Sequence, residues 1–336
     1  MVCVKSDKLC KVGEDEMRIL FIGGTGRLSK DVATLAVKRG NEVFLVTRGS
    51  ESRKIFVSDG YHMIYGNIRD IHFRDELEKY EKFDVVIDFL SFTPPQIKTS
   101  LQIVDGLYKQ YIFISTATVY KKKSEDEIIS EYTTEIGNDK WDYAYQKYQC
   151  ELYLKEYFYD KNERFYTVVR PYVTYGNTRI PYPIVPNPQE EWTFVQRILE
   201  NKTIPVFDKG KTITTLTHTR DFAKGVVGLF MNEKAQNEAF HITNPETTTW
   251  GEVLDDLEVV LNKKIKREEF SQAEIYNTLP RYKSILIGDK GNMMQFDNSK
   301  ICMAVPDFTC DISLKDGIQD MVSFYNANPS LKVIDY

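Results

Sequence analysis

The stretch of sequence that decides the fold is RILFIGGTGRLS, residues 18–29. Its apolar run, Arg18–Ile22, ends at two glycines and predicts a buried parallel strand. The following residues predict a helix that ends at Gly40, and its apolar face is formed by Leu28, Val32, Leu35 and Ala36. A second strand is predicted at Val43–Val46. A strand, a glycine-rich turn, a helix and a strand in this order are typical of the opening of a doubly wound α/β fold.

The same alternation continues along the chain. Further strands are predicted at 62–65, 85–87, 111–114 and 166–169, and helices at 74–80, 94–108, 142–159, 192–200, 221–230 and 250–261. This pattern predicts a Rossmann-type doubly wound parallel sheet with a smaller C-terminal substrate lobe. We expect a loose leader at 1–16, a dinucleotide-binding domain at 17–176, and mainly a substrate lobe at 177–336, with segments that return to the first domain.

Composition excludes several classes of function. The net charge of −5 gives no electrostatic reason to expect a nucleic-acid or anionic-membrane partner. No apolar run approaches the roughly 20 residues that span a bilayer, and residues 1–16 carry charges without the apolar core of a secretory signal. The 5 cysteines form no C-x-x-C pair and the 4 histidines show no zinc-ligand spacing. We therefore expect a cytoplasmic protein with reduced thiols and no metal site.

The glycine-rich turn predicts a phosphate-binding loop, because glycines let the backbone approach a pyrophosphate at the N-terminus of a helix. The residues concerned are Gly23, Thr25, Gly26, Arg27 and Leu28. Ser29 stands where a third glycine usually allows close helix packing, and as a small residue it is tolerated with slight displacement of the helix. The alternative is a simple strand-to-helix turn.

The end of the second predicted strand bears on the choice of cofactor. Val46-Thr47-Arg48 lacks the carboxylate that binds the ribose of NAD, whereas Arg48 and Arg27 could meet the 2′-phosphate of NADP. NADP is therefore favoured over NAD. Two solvated arginines are the alternative.

Two further motifs carry candidate chemistry. Tyr143 and Lys147 lie four residues apart in a predicted helix and so share a face. A nearby ammonium group lowers the pKa of a phenol, which can then exchange a proton with a substrate hydroxyl as hydride moves. Ser115–Tyr120 follows a predicted strand, and Thr116 there can hydrogen-bond the reacting oxygen. The alternative for Tyr143 and Lys147 is a pair of surface residues, and the alternative for Ser115–Tyr120 is a turn that caps the strand.

In this order along the chain, from about Met17 to Tyr325, these segments resemble the extended short-chain dehydrogenase/reductase family, in its nucleotide-sugar epimerase/dehydratase branch. The resemblance implies that Thr116, Tyr143 and Lys147 are catalytic. It also implies that Tyr172 backs the nicotinamide. Further cofactor contacts are implied for Asn67, Ile68, Phe89, Leu90, Ser91, Ser115, Tyr143 and Lys147, and substrate contacts for Thr116, Asn177, Arg179, His218 and Arg220.

Two departures from the family pattern concern the reaction. The family's dehydratases carry an Asp-Glu pair after the catalytic threonine, but Ala117 and Thr118 stand here, so we expect no elimination of water. Where the family's epimerases hold a diphosphate with an arginine, Thr214 and Thr215 stand here, and Arg179 or Arg220 could substitute.

The resemblance thus implies an NAD(P)-dependent epimerase or oxidoreductase that acts on a sugar hydroxyl, its small-molecule substrate being a nucleotide sugar. A keto-sugar reductase or dehydrogenase is the alternative. A non-catalytic dinucleotide-sensing or RNA-binding protein on the same fold, as among certain chloroplast relatives, is the alternative of another class. The resemblance also implies a homodimer through the helix of Tyr143, whose surplus apolar surface comprises Tyr145, Tyr148, Leu152 and Tyr153.

Overall fold

A computed structural model describes residues 16–49, 60–124, 126–185 and 192–332. The leader expected at 1–16 therefore lies, except for Glu16, outside the described residues. The described strands are β1 (Arg18–Ile22), β2 (Glu42–Thr47), β3 (Tyr61–Tyr65), β4 (Phe83–Asp88), β5 (Tyr108–Ile114), β6 (Phe165–Pro171), β7 (Val173–Tyr175), β8 (Ile204–Val206), β9 (Ile213–Thr214), β10 (Leu216–His218), β11 (Glu238–Ile242), β12 (Thr248–Thr249) and β13 (Arg267–Glu269). The described α-helices are α1 (Ser29–Lys38), α2 (Arg74–Leu77), α3 (Pro94–Val104), α4 (Asp142–Tyr157), α5 (Trp192–Leu199), α6 (Thr219–Gly228), α7 (Trp250–Leu261), α8 (Gln272–Thr278), α9 (Lys283–Ile285), α10 (Ser299–Ala304) and α11 (Leu314–Ala327).

Seven of these strands form one sheet in the order β11-β6-β5-β4-β1-β2-β3, and every neighbouring pair is parallel. The chain winds outward from β1 to β3, returns to β4 beside β1, and then winds outward in the other direction. The predicted Rossmann-type sheet is thereby confirmed. Its reversal between β1 and β4 brings the segments that follow these strands to one edge, where doubly wound folds bind ligands.

Both faces of the sheet are covered, which explains why β1 is apolar at successive positions. Ile19 and Phe21 pack in one core with residues of α1 and α6. Leu20 and Ile22 point to the opposite face and pack with residues of α3 and α4. A third core, which includes Trp250, lies under the C-terminal half of the chain.

Some predicted boundaries differ from the structure. The helix predicted at 94–108 ends at Val104, because Gly106 adopts a φ of 77° and Tyr108 already begins β5. The C-terminal half sends β11 back to pair with β6, while the division into domains at residue 176 stays a prediction. No helix in the described ranges is both long enough and apolar enough to cross a bilayer.

Candidate active site

The glycine-rich turn after β1 is packed closely against the segment after β4. Gly23 has a φ of 89°, and a Cβ at this position would come 2.5 Å from Cγ of Leu90. The Ser29 hydroxyl donates to the carbonyl oxygen of Gly23 at 2.7 Å and accepts from the amide of Gly26 at 2.9 Å. Ser29 is therefore more than a tolerated substitute for a glycine, because its side chain closes the turn.

A cavity of about 260 Å³ opens beside this turn at the ends of β2 and β3. The predicted cofactor residues that line it are Gly23, Thr25, Arg48, Asn67, Ile68 and Leu90. Arg69 and Gln96 also line it and were not among the predicted cofactor residues. The Arg69 guanidinium donates to the carbonyl oxygens of Gln96 at 3.0 Å and Leu90 at 2.5 Å, so it ties the segment after β3 to the segment after β4.

A larger cavity of about 390 Å³ shares Gly23 and Leu90 with the first. The structure brings together in its lining many of the residues singled out from the sequence: Gly23, Gly26, Arg27, Leu28, Phe89, Leu90, Ser115, Thr116, Tyr143, Lys147, Tyr172 and Arg179. Among the described residues no group of three or more potential metal ligands is present. The cavity thus combines a glycine turn with hydroxyl, phenol and ammonium groups.

Lys147 is 2% exposed at the floor of the larger cavity. Its Nζ donates to the carbonyl oxygens of Ser91 and Ile114, both at 2.7 Å, and burial lowers its pKa to about 8. Ser91, predicted to line the cofactor, is fully buried and donates its hydroxyl to Asp88 at 2.5 Å. Ser91 therefore contacts Lys147 through its backbone carbonyl, and its contact with a cofactor stays a prediction.

Tyr143 lies in the first turn of α4 with its ring 4.9 Å from that of Trp141. Burial raises its pKa, and the Thr116 hydroxyl and the Arg179 charge act in the opposite direction. The lowering by Lys147 that the four-residue spacing predicted is not found, because the ammonium group is directed at two backbone carbonyls. Burial thus favours the neutral phenol, which can donate a hydrogen bond to an oxygen atom, while Thr116 and Arg179 favour the phenolate.

The predicted substrate residues divide into two groups. Asn177 and Arg179 line a small cavity of about 60 Å³, and Arg179 also lines the larger one. Arg220 instead pairs with Asp320 at the surface. His218 is 2% exposed, and its Nδ1 accepts from the amide of Arg220 at the start of α6. The predicted substrate contacts of His218 and Arg220 are therefore not supported by their positions.

A buried ion pair contacts the hydroxyl segment, Ser115–Tyr120, which follows β5. Arg170 and Glu151 are joined at 2.6 Å, and both side chains are 6% exposed. Glu151 also accepts from the Ser115 hydroxyl at 2.5 Å. The pair therefore fixes the residue next to Thr116, and it turns the Ser115 hydroxyl away from a purely ligand-directed role.

Sequence reasoning missed Asp289, which lines the larger cavity and is 2% exposed. Burial raises its pKa to about 7, while the charges of Lys290 and Arg179 act to lower it. The available signal was a carboxylate between glycines in Gly288-Asp289-Lys290-Gly291, which is typical of a tight turn. The family pattern places its carboxylates next to the catalytic threonine instead, here at Ala117 and Thr118.

The loop after β5 also carries consecutive acidic residues, at positions 125–127. Glu127 accepts from the amide of Lys123 at 2.6 Å and from the hydroxyl of Thr134 at 2.8 Å. Asp126 is exposed, and position 125 lies outside the described residues. Glu127 is thus held within the loop.

Comparison with known proteins gives a family and a fold. The model of the NAD dependent epimerase/dehydratase family matches residues 19–243. The chloroplast stem-loop binding protein of 41 kDa b of Arabidopsis thaliana is 28% identical over 246 residues, which cover 70% of this chain and 61% of that protein. The chain thus spans about three fifths of the length of this relative.

Solved structures show the same fold at low sequence identity. An epimerase from Methanothermobacter thermautotrophicus superposes with a TM-score of 0.76 at 15% identity, covering 95% of this chain and 94% of that one. The UDP-glucose 4-epimerase of Thermotoga maritima, solved with UDP-glucose, has a TM-score of 0.72 at 18% identity, with 93% and 100% covered. The dTDP-glucose 4,6-dehydratase of Bacillus anthracis, in complex with NAD, has a TM-score of 0.73 at 17% identity, with 94% and 98% covered.

Proposed function

The chain belongs to the NAD dependent epimerase/dehydratase family, and from this premise we propose that it is an NAD(P)-dependent epimerase acting on a hydroxyl of a nucleotide sugar. The observation that carries the proposal is the shared cavity of Thr116, Tyr143 and Lys147, which opens beside the glycine-rich turn. The family supports a nicotinamide dinucleotide cofactor. The choice of sugar, and of NADP over NAD, belongs to the proposal.

The residues around the two cavities suit a dinucleotide. A Cβ at Gly23 would collide with Leu90, so the close approach of these two segments leaves the turn as bare backbone facing the cavity. The adenosine end would lie against Asn67 and Ile68, with Arg48 at the 2′ position, and the nicotinamide end would lie against Tyr172. When bound, the cofactor supplies the acceptor and donor of a hydride.

The chain's own residues handle the proton. In its phenolate form Tyr143 takes the proton of the substrate hydroxyl during oxidation, and the phenol so formed returns the proton during reduction. Thr116 holds the same oxygen, and the Arg179 charge opposes the effect of burial on Tyr143. Lys147, anchored on two carbonyls, presents a positive charge at the floor of the cavity. Reduction on the other face of the sugar completes an epimerisation.

A mass-spectrometric and chromatographic screen of nucleotide sugars tests this proposal. We expect at least one of UDP-glucose, UDP-glucuronic acid and dTDP-glucose to yield a product of unchanged mass and altered retention, without net consumption of cofactor. Product that forms only with stoichiometric NADPH would indicate a reductase instead. No conversion of any sugar under either condition would count against an enzyme of this class.

A second candidate, nucleic-acid binding, is favoured by one observation, the 28% identity to a protein named for stem-loop binding. A groove of about 300 Å³ in the segment that follows β5 is lined by Lys121, Lys122, Lys123 and Lys140. Fluorescence anisotropy with a labelled RNA hairpin discriminates between the candidates. Binding that weakens with salt, and that is lost when Lys121, Lys123 and Lys140 are replaced by Gln, would support this function.

A further inference from the structure

The turn that carries Asp289 is held in place by two side chains, those of Asn138 and Trp250. Residues Leu286–Lys290 form a π-helical turn, a geometry that is often found at functional sites. The Asn138 amide donates to the carbonyl oxygens of Gly288 at 2.7 Å and Thr118 at 2.9 Å. The Trp250 indole donates to the carbonyl oxygen of Lys290 at 3.0 Å. These bonds fix Asp289 relative to the hydroxyl segment after β5.

Three buried polar atoms in this part of the molecule lack a hydrogen-bond partner among the described residues. They are Oδ1 of Asp289, the Tyr172 hydroxyl and the Thr214 hydroxyl. The Tyr172 hydroxyl lies near enough to the other two groups to affect its pKa. An unsatisfied buried polar group costs about 1–3 kcal/mol, and small movements would let the Tyr172 hydroxyl bond to Thr214 and Asp289, which already affect its pKa. The cluster therefore holds Asp289 in place at the wall of the cavity.

The electrostatics suit a group that both takes and gives a proton. Burial raises the pKa of Asp289 to about 7, so both the acid and the carboxylate are present near neutral pH. Arg179 and Lys290 act on Asp289 to lower its pKa, and the Asp289 charge in turn raises the pKa of Tyr143. The two proton-carrying groups therefore lie within each other's field in one cavity.

We propose that Asp289 is a second acid–base residue of this site, which removes and returns a proton at a carbon next to the carbonyl of a keto-sugar. The inference rests on the proposed function, because it needs a sugar carbonyl held by Thr116 and Tyr143. It adds an activity, proton exchange at the neighbouring carbon, and hence epimerisation there when the keto-sugar turns its other face to Asp289 before the proton returns.

The step balances without any further reagent. The C–H bond breaks, its proton binds to the Asp289 carboxylate, and the electron pair forms an enolate whose charge rests on the carbonyl oxygen. The neutral Tyr143 phenol and the Thr116 hydroxyl donate hydrogen bonds to that oxygen. The carboxyl then returns the proton to carbon. Elimination of water would need a separate acid at the departing hydroxyl, and Asp289 is the one carboxyl group in the cavity lining of the described residues.

Hydrogen–deuterium exchange tests the proposal from a preformed ketone. The full-length protein is incubated in D₂O with dTDP-4-keto-6-deoxyglucose, and deuterium at C3 and C5 is followed by NMR. We expect the wild type to exceed the buffer rate and Asp289→Asn to lose about 10²–10⁴-fold of that excess, with KM changed only a few-fold. Asp126→Asn, an exposed acid in the loop after β5, is the matched control and should keep the wild-type rate.

A second readout needs no sugar. In protein carrying ¹³C-labelled aspartate, one carboxyl resonance should titrate near neutral pH and be missing from Asp289→Asn, whose melting temperature confirms the fold. Exchange at the buffer rate in the wild type, an unchanged rate in Asp289→Asn, or a loss confined to KM would each overturn the proposal. Epimer formation without exchange would refute the role of Asp289 alone, whereas exchange without any hydride transfer would refute the proposed function alone.

Discussion

The Lys147 ammonium group lies 2.7 Å from the carbonyl oxygen of Ile114, the last residue of β5. A second carbonyl, that of Ser91, accepts from the same nitrogen after β4. The lysine therefore joins the ends of two neighbouring parallel strands at the ligand-binding edge. It fixes this edge and carries a charge there. The Thr116 hydroxyl and the Arg179 charge, and not Lys147, act to lower the pKa of the Tyr143 phenol against the effect of burial.

This buried lysine predicts a pH dependence of stability. Its pKa falls from 10.5 to about 8 on folding, so between these pH values the unfolded chain binds more protons than the folded one. The stability contributed by this group therefore rises with pH across that window. Urea unfolding of the wild type and of Lys147→Met is measured at about pH 7.5 and 9.5. The free energy of unfolding of the wild type, minus that of Lys147→Met, should be larger at the higher pH. The exposed Lys264→Met should show a constant difference, and a constant difference for Lys147→Met would contradict the assignment.

Tyr143→Phe should lose turnover by about 10²–10⁴-fold, because the proposed mechanism makes this phenol the carrier of the substrate proton. The ring and its contact with Trp141 remain, so the melting temperature and cofactor affinity should change little. Tyr145→Phe, on the same helix and 41% exposed, is the control. Activity is measured on whichever sugar the screen identifies. Near-normal turnover in Tyr143→Phe would remove Tyr143 from the mechanism.

The sequence predicted the parallel sheet and the sides of the site that lie near the strand ends, because each of these depends on a short local pattern. The Gly23 turn and Thr116 follow strands directly, and Tyr143 and Lys147 share one helix. Asp289 was beyond such reasoning, since a long-range contact places its turn, through the bond from Asn138 to Gly288. The position of Lys147 against two carbonyls was also hidden, because helical spacing gives the shared face and not the hydrogen-bond partner.

Arg48→Ala should weaken NADP binding by about tenfold, or about 1.4 kcal/mol, and leave NAD binding nearly unchanged. Arg48 is exposed at the rim of the adenosine-side cavity, where its guanidinium can pair with a 2′-phosphate. Calorimetric titration of both cofactors measures this. Arg39→Ala, an exposed arginine at the end of α1, should change neither affinity. Tighter NAD binding by the wild type would reverse the expected preference.

Glu151→Ala should lower the free energy of unfolding by about 3–5 kcal/mol, because it leaves the Arg170 charge buried without a partner. Lys264, which is 94% exposed and pairs with Glu258, gives the contrast, since Lys264→Ala should cost less than about 1 kcal/mol. Denaturant unfolding compares the two variants. Equal, small losses would mean that water or Tyr120, whose hydroxyl accepts from Arg170 at 2.9 Å, replaces Glu151.

The helix α4 carries an apolar stripe that predicts a homodimer. Tyr145 and Leu152 are 41% and 43% exposed and lie seven residues apart, about two helical turns, with the half-buried Tyr148 between them. Tyr153, which was expected to belong to this stripe, packs within the subunit against the core and Tyr157.

An isologous contact places the same stripe on both subunits, so one substitution changes the interface at two positions. Leu152→Glu should therefore convert a dimer to a monomer at about 10 μM, whereas Tyr159→Glu, beyond the end of the helix and 92% exposed, should leave the dimer intact. Multi-angle light scattering gives the mass directly. A monomeric wild type, or a Leu152→Glu variant that remains dimeric, would place the interface elsewhere or exclude it.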